Sequence, residues 1–136
     1  MNNFIFENST KVFFGKGCVK EYLSCWAGKF GERVLLAYGD CSIKKNGIYE
    51  EVTNILEKAG KTVIEFSGIM ANPTYEKVLE GAKIARENEV DWILGIGGGS
   101  VMDCCKAVSL AAISKKDIWK EYWAKPGIID FEPLPL

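Results

Sequence analysis

The chain has 136 residues, 48% hydrophobic and 26% charged, with a formal net charge of −1. That is the profile of one globular domain, and the near-neutral balance offers no basic footprint for nucleic acid or an anionic membrane surface. No apolar run approaches the roughly 20 residues of a membrane span, and the absence of histidine excludes a Ser-His-Asp triad, a Cys-His pair and any histidine metal ligand within these residues.

The N-terminus, "MNNFIFENSTKVFF", lacks the basic start and small-residue cleavage site of a signal peptide, so a cytoplasmic location is the expectation. "KVFFGKG" reads as a short β-type run closed by a Gly-Lys-Gly turn. Val19, Tyr22, Leu23 and Trp26 then fall at helical spacing, with Gly28 and Gly31 ending the run. "RVLLAYG" is continuously apolar, as a strand buried on both faces must be. A second helix carries Ile48, Val52, Ile55, Leu56 and Ala59 on one stripe and Gly60 at its end. "TVIEF" reads as the next strand.

"SGIMANPTYEKV" turns into a helix that Asn72 or Thr74 can cap, with Pro73 suited to the first turn and Val78, Ala82 and Ala85 on the buried side. "DWILGI" is a further strand, followed by a glycine loop and a helix from about Val101 with Val101, Cys105, Val108 and Ala112 along one face. Strand and helix alternate with short loops, which predicts an α/β fold: a Rossmann-like parallel sheet with helices on both faces, preceded by an N-terminal β segment. The five cysteines (Cys18, Cys25, Cys41, Cys104, Cys105) are odd in number, irregular in spacing and without a C-x-x-C pair. They read as reduced, most of them small buried apolar residues. The apolar, Pro-interrupted ending "PGIIDFEPLPL" reads as a strand that further sequence would complete, and the whole of 1–136 as one domain stopping before its last elements.

The loop "GIGGGS" admits two readings. The glycines can serve only a tight strand-to-helix turn. Alternatively, the missing side chains let an anion approach the backbone, with Gly97, Gly98, Gly99 and Ser100 presenting N–H groups at the positive end of the next helix. The loop has neither the first-strand setting of a G-x-G-x-x-G fingerprint nor the Lys-Ser/Thr ending of a P-loop.

"FFGKG", "YGDCSIKKNGIYEEV", "GIMANPTYEKVLEGAKIARE" and "ILGIGGGSVMDCCKAVSLAA" follow one another in an order and spacing that resembles the iron-containing (group III) alcohol dehydrogenases, nearest their butanol dehydrogenase branch. The resemblance implies the N-terminal nucleotide-binding domain of an enzyme that moves a hydride between NAD(P) and an alcohol or aldehyde. It also implies that the divalent metal, iron or zinc, belongs to a C-terminal helical domain whose Asp and three His lie beyond this chain. By resemblance the pyrophosphate falls on Gly97, Gly98, Gly99 and Ser100, and Asp103 lies near the nicotinamide end. Asn72 and Pro73 match an "NP" element beside the cofactor.

Where that branch has an open Gly-Gly-Gly-Ser loop, this chain has Gly39, Asp40, Cys41 and Ser42. An Asp at a strand end can accept hydrogen bonds from ribose hydroxyls and repel a 2′-phosphate, which favours NAD over NADP; alternatively it only caps the following turn. Lys106 can pair with phosphate or with Asp103. The resemblance further implies a homodimer joined through the N-terminal strand. Two alternatives stay open: a fragment of a glycerol dehydrogenase or dehydroquinate synthase-like enzyme, and a nucleotide-binding or dimerisation module without catalysis.

Overall fold

The computed structural model describes residues 10–40, 42–124 and 129–136. Helix α1 (Cys18–Ala27) leads into strand β1 (Arg33–Tyr38), a short helix α2 (Ser42–Lys45) and helix α3 (Ile48–Lys58). Strand β2 (Thr62–Phe66), helix α4 (Tyr75–Glu87), strand β3 (Trp92–Ile96), helix α5 (Gly99–Ile113) and a π-helical turn (Trp119–Trp123) complete the order. The three strands form one parallel sheet in the order β2-β1-β3, with Leu35 opposite Ile64 on one side and Ile93 on the other.

β1 is central, which explains its unbroken apolar sequence. Side chains alternate across a strand, so Val34, Leu36 and Tyr38 pack with Ala27, Val52 and Leu56 from α1 and α3. Leu35 and Ala37 pack on the other face with Val78, Ala82 and Ala85 of α4 and Val101, Cys105 and Val108 of α5. The expected α/β architecture with helices on both faces is what forms. Helix α5 is buried more widely than its predicted stripe, because Cys104, Ala107, Ser109 and Ala111 are buried as well. It is wedged against α4, where Gly81 leaves room for the Phe66 ring and Val108.

Four local expectations are corrected. The predicted β segment forms no strand over residues 11–14; Val12 and Phe14 are 81% and 100% exposed, and Gly15 and Gly17, both at positive φ, turn the chain into α1. Residues 1–9 lie outside the described residues. Helix α4 begins after Thr74, whose hydroxyl accepts from the Lys77 N–H at 3.3 Å, so Pro73 precedes the cap rather than occupying the first turn. Asn72 does not cap; it sits at φ 51°. The tail contributes single backbone bonds in place of a strand: Ile93 N–H donates to Pro135 O and Leu134 N–H to Ser109 O. Pro133 and Pro135 have no N–H to offer a ladder.

Of the cysteines, Cys104 and Cys105 are buried, Cys18 is half-buried and Cys25 is exposed, all four with free thiols. Burial raises the Cys104 thiol and pushes that of Cys105 up to about 12. Both therefore stay protonated at neutral pH and act as small apolar residues, with Cys105 Sγ against Gly95.

Candidate functional site

Strands β1 and β3 are neighbours in the sheet, and Tyr38 at the end of one faces Ile96 at the end of the other. The chain leaves β1 toward α3 on one face and leaves β3 into α5 on the opposite face. This is a topological switch point, where open α/β sheets form a crevice at the carboxyl ends of their strands. Gly39 and Asp40 leave one rim, and residues 97 to 100 leave the other. Two segments predicted from far apart in sequence therefore meet at one crevice.

The glycines on the second rim have different duties. A Cβ on Gly97 would lie 2.5 Å from Val101 Cγ2, so this position is glycine because the turn folds onto its own helix. A Cβ on Gly98 or Gly99 would meet nothing within 4 Å. Gly98, at φ −85° and ψ −165°, is the N-cap of α5 and offers no side chain. Among the described residues no group accepts from the N–H of Gly98, Gly99 or Ser100, whereas Val101 and Met102 N–H both reach Gly98 O. N–H donors without a partner among the described residues, on glycines where even a Cβ would meet nothing, at the positive end of a 15-residue helix, make an arrangement that can receive a phosphate.

The loop after β2 joins the same crevice. Asn72 N–H donates to Ser100 Oγ at 3.3 Å. Gly68 N–H and Ile69 N–H donate to Gly39 O and Tyr38 O at 2.9 and 3.2 Å. Gly39 accepts a close neighbour here, since a Cβ would stand 3.1 Å from Ile69 O. Pro73 and Asp103 line one small cavity together with Tyr75 and Trp119. Lys106 pairs with Asp103 at 3.2 Å, both side chains largely exposed, a contact of little energetic weight. Asp40 and Ser42 are exposed at the crevice mouth, and among the described residues no hydrogen bond holds the Asp40 carboxylate to a cap. Cys41 lies outside the described residues.

Sequence reasoning missed a polar cluster beside the first rim. Glu65 Oε2 accepts from the Tyr38 hydroxyl and from Lys44 Nζ, and Glu65 Oε1 accepts from the Tyr49 hydroxyl. The Tyr38 and then the Tyr49 hydroxyl hold the Glu65 carboxyl below its usual range. The hydrogen bond to Glu65, then burial, pushes Tyr49 up to about 12. A signal was present: Glu65 is the one charged residue in "TVIEF".

The iron-containing alcohol dehydrogenase family model matches residues 9–136. The chain belongs to the iron-containing alcohol dehydrogenase family. It is 44% identical over 134 residues to the probable NADH-dependent butanol dehydrogenase 2 of Bacillus subtilis, covering 98% of this chain and 34% of that protein. It is 40% identical over 115 residues to the NADPH-dependent aldehyde reductase YqhD of Escherichia coli, covering 82% and 28%. The crystal structure of NADH-dependent butanol dehydrogenase A from Thermotoga maritima superposes with a TM-score of 0.80 at 41% identity, over 90% of this chain and 31% of that one. The chain thus spans about a third of the length of these relatives. No helix among the described residues is long and apolar enough to cross a membrane.

Proposed function

We propose that this chain is the dinucleotide-binding part of a metal-dependent alcohol dehydrogenase or aldehyde reductase that moves a hydride between NAD(P) and an alcohol or aldehyde. The observation that carries the reading is the crevice between β1 and β3, where the N–H groups of Gly98 and Gly99 have no partner among the described residues and a Cβ at either position would meet nothing within 4 Å. The family membership supports it. The residues fit a dinucleotide: Gly97, Gly98, Gly99 and Ser100 would take its pyrophosphate, Asp40 the adenosine ribose, with Gly39 and Ser42 flanking. Asn72 and Pro73 would border it, and Asp103 would face its nicotinamide end. When bound, the nicotinamide supplies the hydride acceptor or donor; this chain's residues bind and orient it. Among the described residues no group of three or more His, Cys, Asp or Glu could hold a metal ion, so no metal-dependent step is assigned to them.

Cofactor choice tests the reading. An Asp40 carboxylate about 4 Å from a 2′-phosphate, at an effective dielectric near 20, is repelled by roughly 4 kcal/mol per unit charge product. A quarter of that after screening still gives about fivefold discrimination. NAD should bind more tightly than NADP, and Asp40→Gly should move the preference toward NADP. Calorimetric titration of both cofactors into both proteins checks this. A wild-type preference for NADP would detach Asp40 from the ribose.

We infer also that two copies pair through the N-terminal segment. The exposed Val12 and Phe14 follow a stretch whose sequence holds Phe4, Ile5 and Phe6, a run of large apolar residue types of the kind that pairing between copies would cover. Deleting residues 1–8 should turn a dimer into a monomer in sedimentation velocity. Equal sedimentation of the two forms would remove the inference.

A further inference from the structure

We infer that Lys44 is a specificity-determining residue for the adenosine end of the dinucleotide, a cation that Glu65 and two tyrosines hold a few residues past Asp40 for a phosphate on the ribose. The inference rests on the dinucleotide reading above. Three elements build the holder. Tyr38 ends β1, Tyr49 lies in the first turn of α3, and Glu65 comes from β2. Lys44 Nζ lies 3.3 Å from Glu65 Oε2, 4.4 Å from the Tyr49 ring centroid and 5.6 Å from that of Tyr38. The two rings meet edge-on with centroids 5.9 Å apart, so the ammonium rests on a fixed aromatic corner.

Position and exposure give this cluster a use beyond packing. The glycine loop follows β3, and the neighbouring strand is β1. In dinucleotide folds the ribose lies at the end of that neighbouring strand, beside its acidic residue, and a basic side chain close by accommodates a 2′-phosphate. Here the acidic residue is Asp40, two positions after Tyr38, and Lys44 follows four positions later. The Lys44 and Glu65 side chains are 43% and 42% exposed. An ion pair this open to water is weak, so the ammonium can exchange the carboxylate for a phosphate without a large loss. The aromatic corner meanwhile limits the rotamer entropy that a long, free lysine would lose on binding. Asp40 and Lys44 then act in opposition, and Glu65 sets how much of the lysine charge is available. Glu65 is a positioning residue, acting through Lys44.

Calorimetric titration of NAD and NADP into wild type, Lys44→Met, Glu65→Gln and the double variant tests this. Lys44→Met should shift the NADP-to-NAD affinity ratio against NADP by about threefold to fivefold, the weight of one exposed ion pair. Glu65→Gln, which keeps an acceptor for one tyrosine hydroxyl and a donor for the other but removes the charge, should shift the ratio toward NADP. That gain should vanish when Lys44→Met is added. A cluster that only stabilises the fold would lower the melting midpoint in each variant and leave the ratio unchanged, which would overturn the inference. A Glu65→Gln shift that persists without Lys44 would overturn it too, because the carboxylate would then act directly. Binding of neither cofactor by the wild type would remove the parent reading and this one together.

Discussion

Gly98→Val is expected to leave the chain folded and to weaken dinucleotide binding by about 2 kcal/mol, the size of a charge-assisted hydrogen bond that the new side chain would block. The backbone at Gly98, φ −85° and ψ −165°, is one that any L-residue adopts, and a Cβ there meets no protein atom within 4 Å. The helix cap itself loses little, under about 1 kcal/mol. Gly97→Ala, one residue earlier, should behave in the opposite way. Its Cβ would fall 2.5 Å from Val101 Cγ2 and 2.8 Å from Val101 Cβ, an overlap that costs about 1–3 kcal/mol of stability before any ligand is added. Urea midpoints and calorimetric affinities for the two variants separate these effects. Unchanged affinity in a folded Gly98→Val protein would reduce the loop to a plain turn.

Gly81→Leu should destabilise the chain by about 2–3 kcal/mol, although leucine is a better helix former than glycine by about 0.8 kcal/mol. The reason is the approach of α4 to the core. A Cβ at this position would sit 2.8 Å from two atoms of the Phe66 ring and from Val108 Cγ2. Phe66 and Val108 are themselves almost fully buried, so neither can turn aside. The measurement is the urea midpoint at constant m-value. A midpoint equal to or above that of the wild type would show that the two helices can separate at no cost.

How much of this was legible in the sequence depends on whether the signal was local. β1, β2 and β3 were readable because each is a short apolar run bounded by turn residues, and α3 and α4 because their apolar positions recur at helical spacing. The glycine loop was readable as a special place, but not the division of labour within it. That Gly97 serves Val101 while Gly98 and Gly99 face open space is a matter of a few ångströms that no spacing encodes. The cap of α4 fell between Asn72 and Thr74 because both residue types cap helices, and only the backbone angle at Asn72 decides between them. The β reading of "KVFFGKG" followed residue preference, which depends on having a neighbouring strand; none pairs with residues 10–14 among the described residues. The Tyr38, Lys44, Tyr49 and Glu65 cluster joins four positions scattered over 28 residues, and such long-range juxtaposition appears only once β1 and β2 are in register.

The hydrogen bonds from Asn72 to Ser100 Oγ and from Gly68 and Ile69 to the end of β1 have a thermodynamic consequence. They fasten the three loops around the crevice to one another before any ligand arrives. Part of the backbone freedom that binding would otherwise remove has already been surrendered during folding, at roughly 1–2 kcal/mol for each residue fixed. A nucleotide entering here meets a preorganised cradle. Cutting the tie with Ser100→Ala should therefore show itself in the entropy of association more than in its heat.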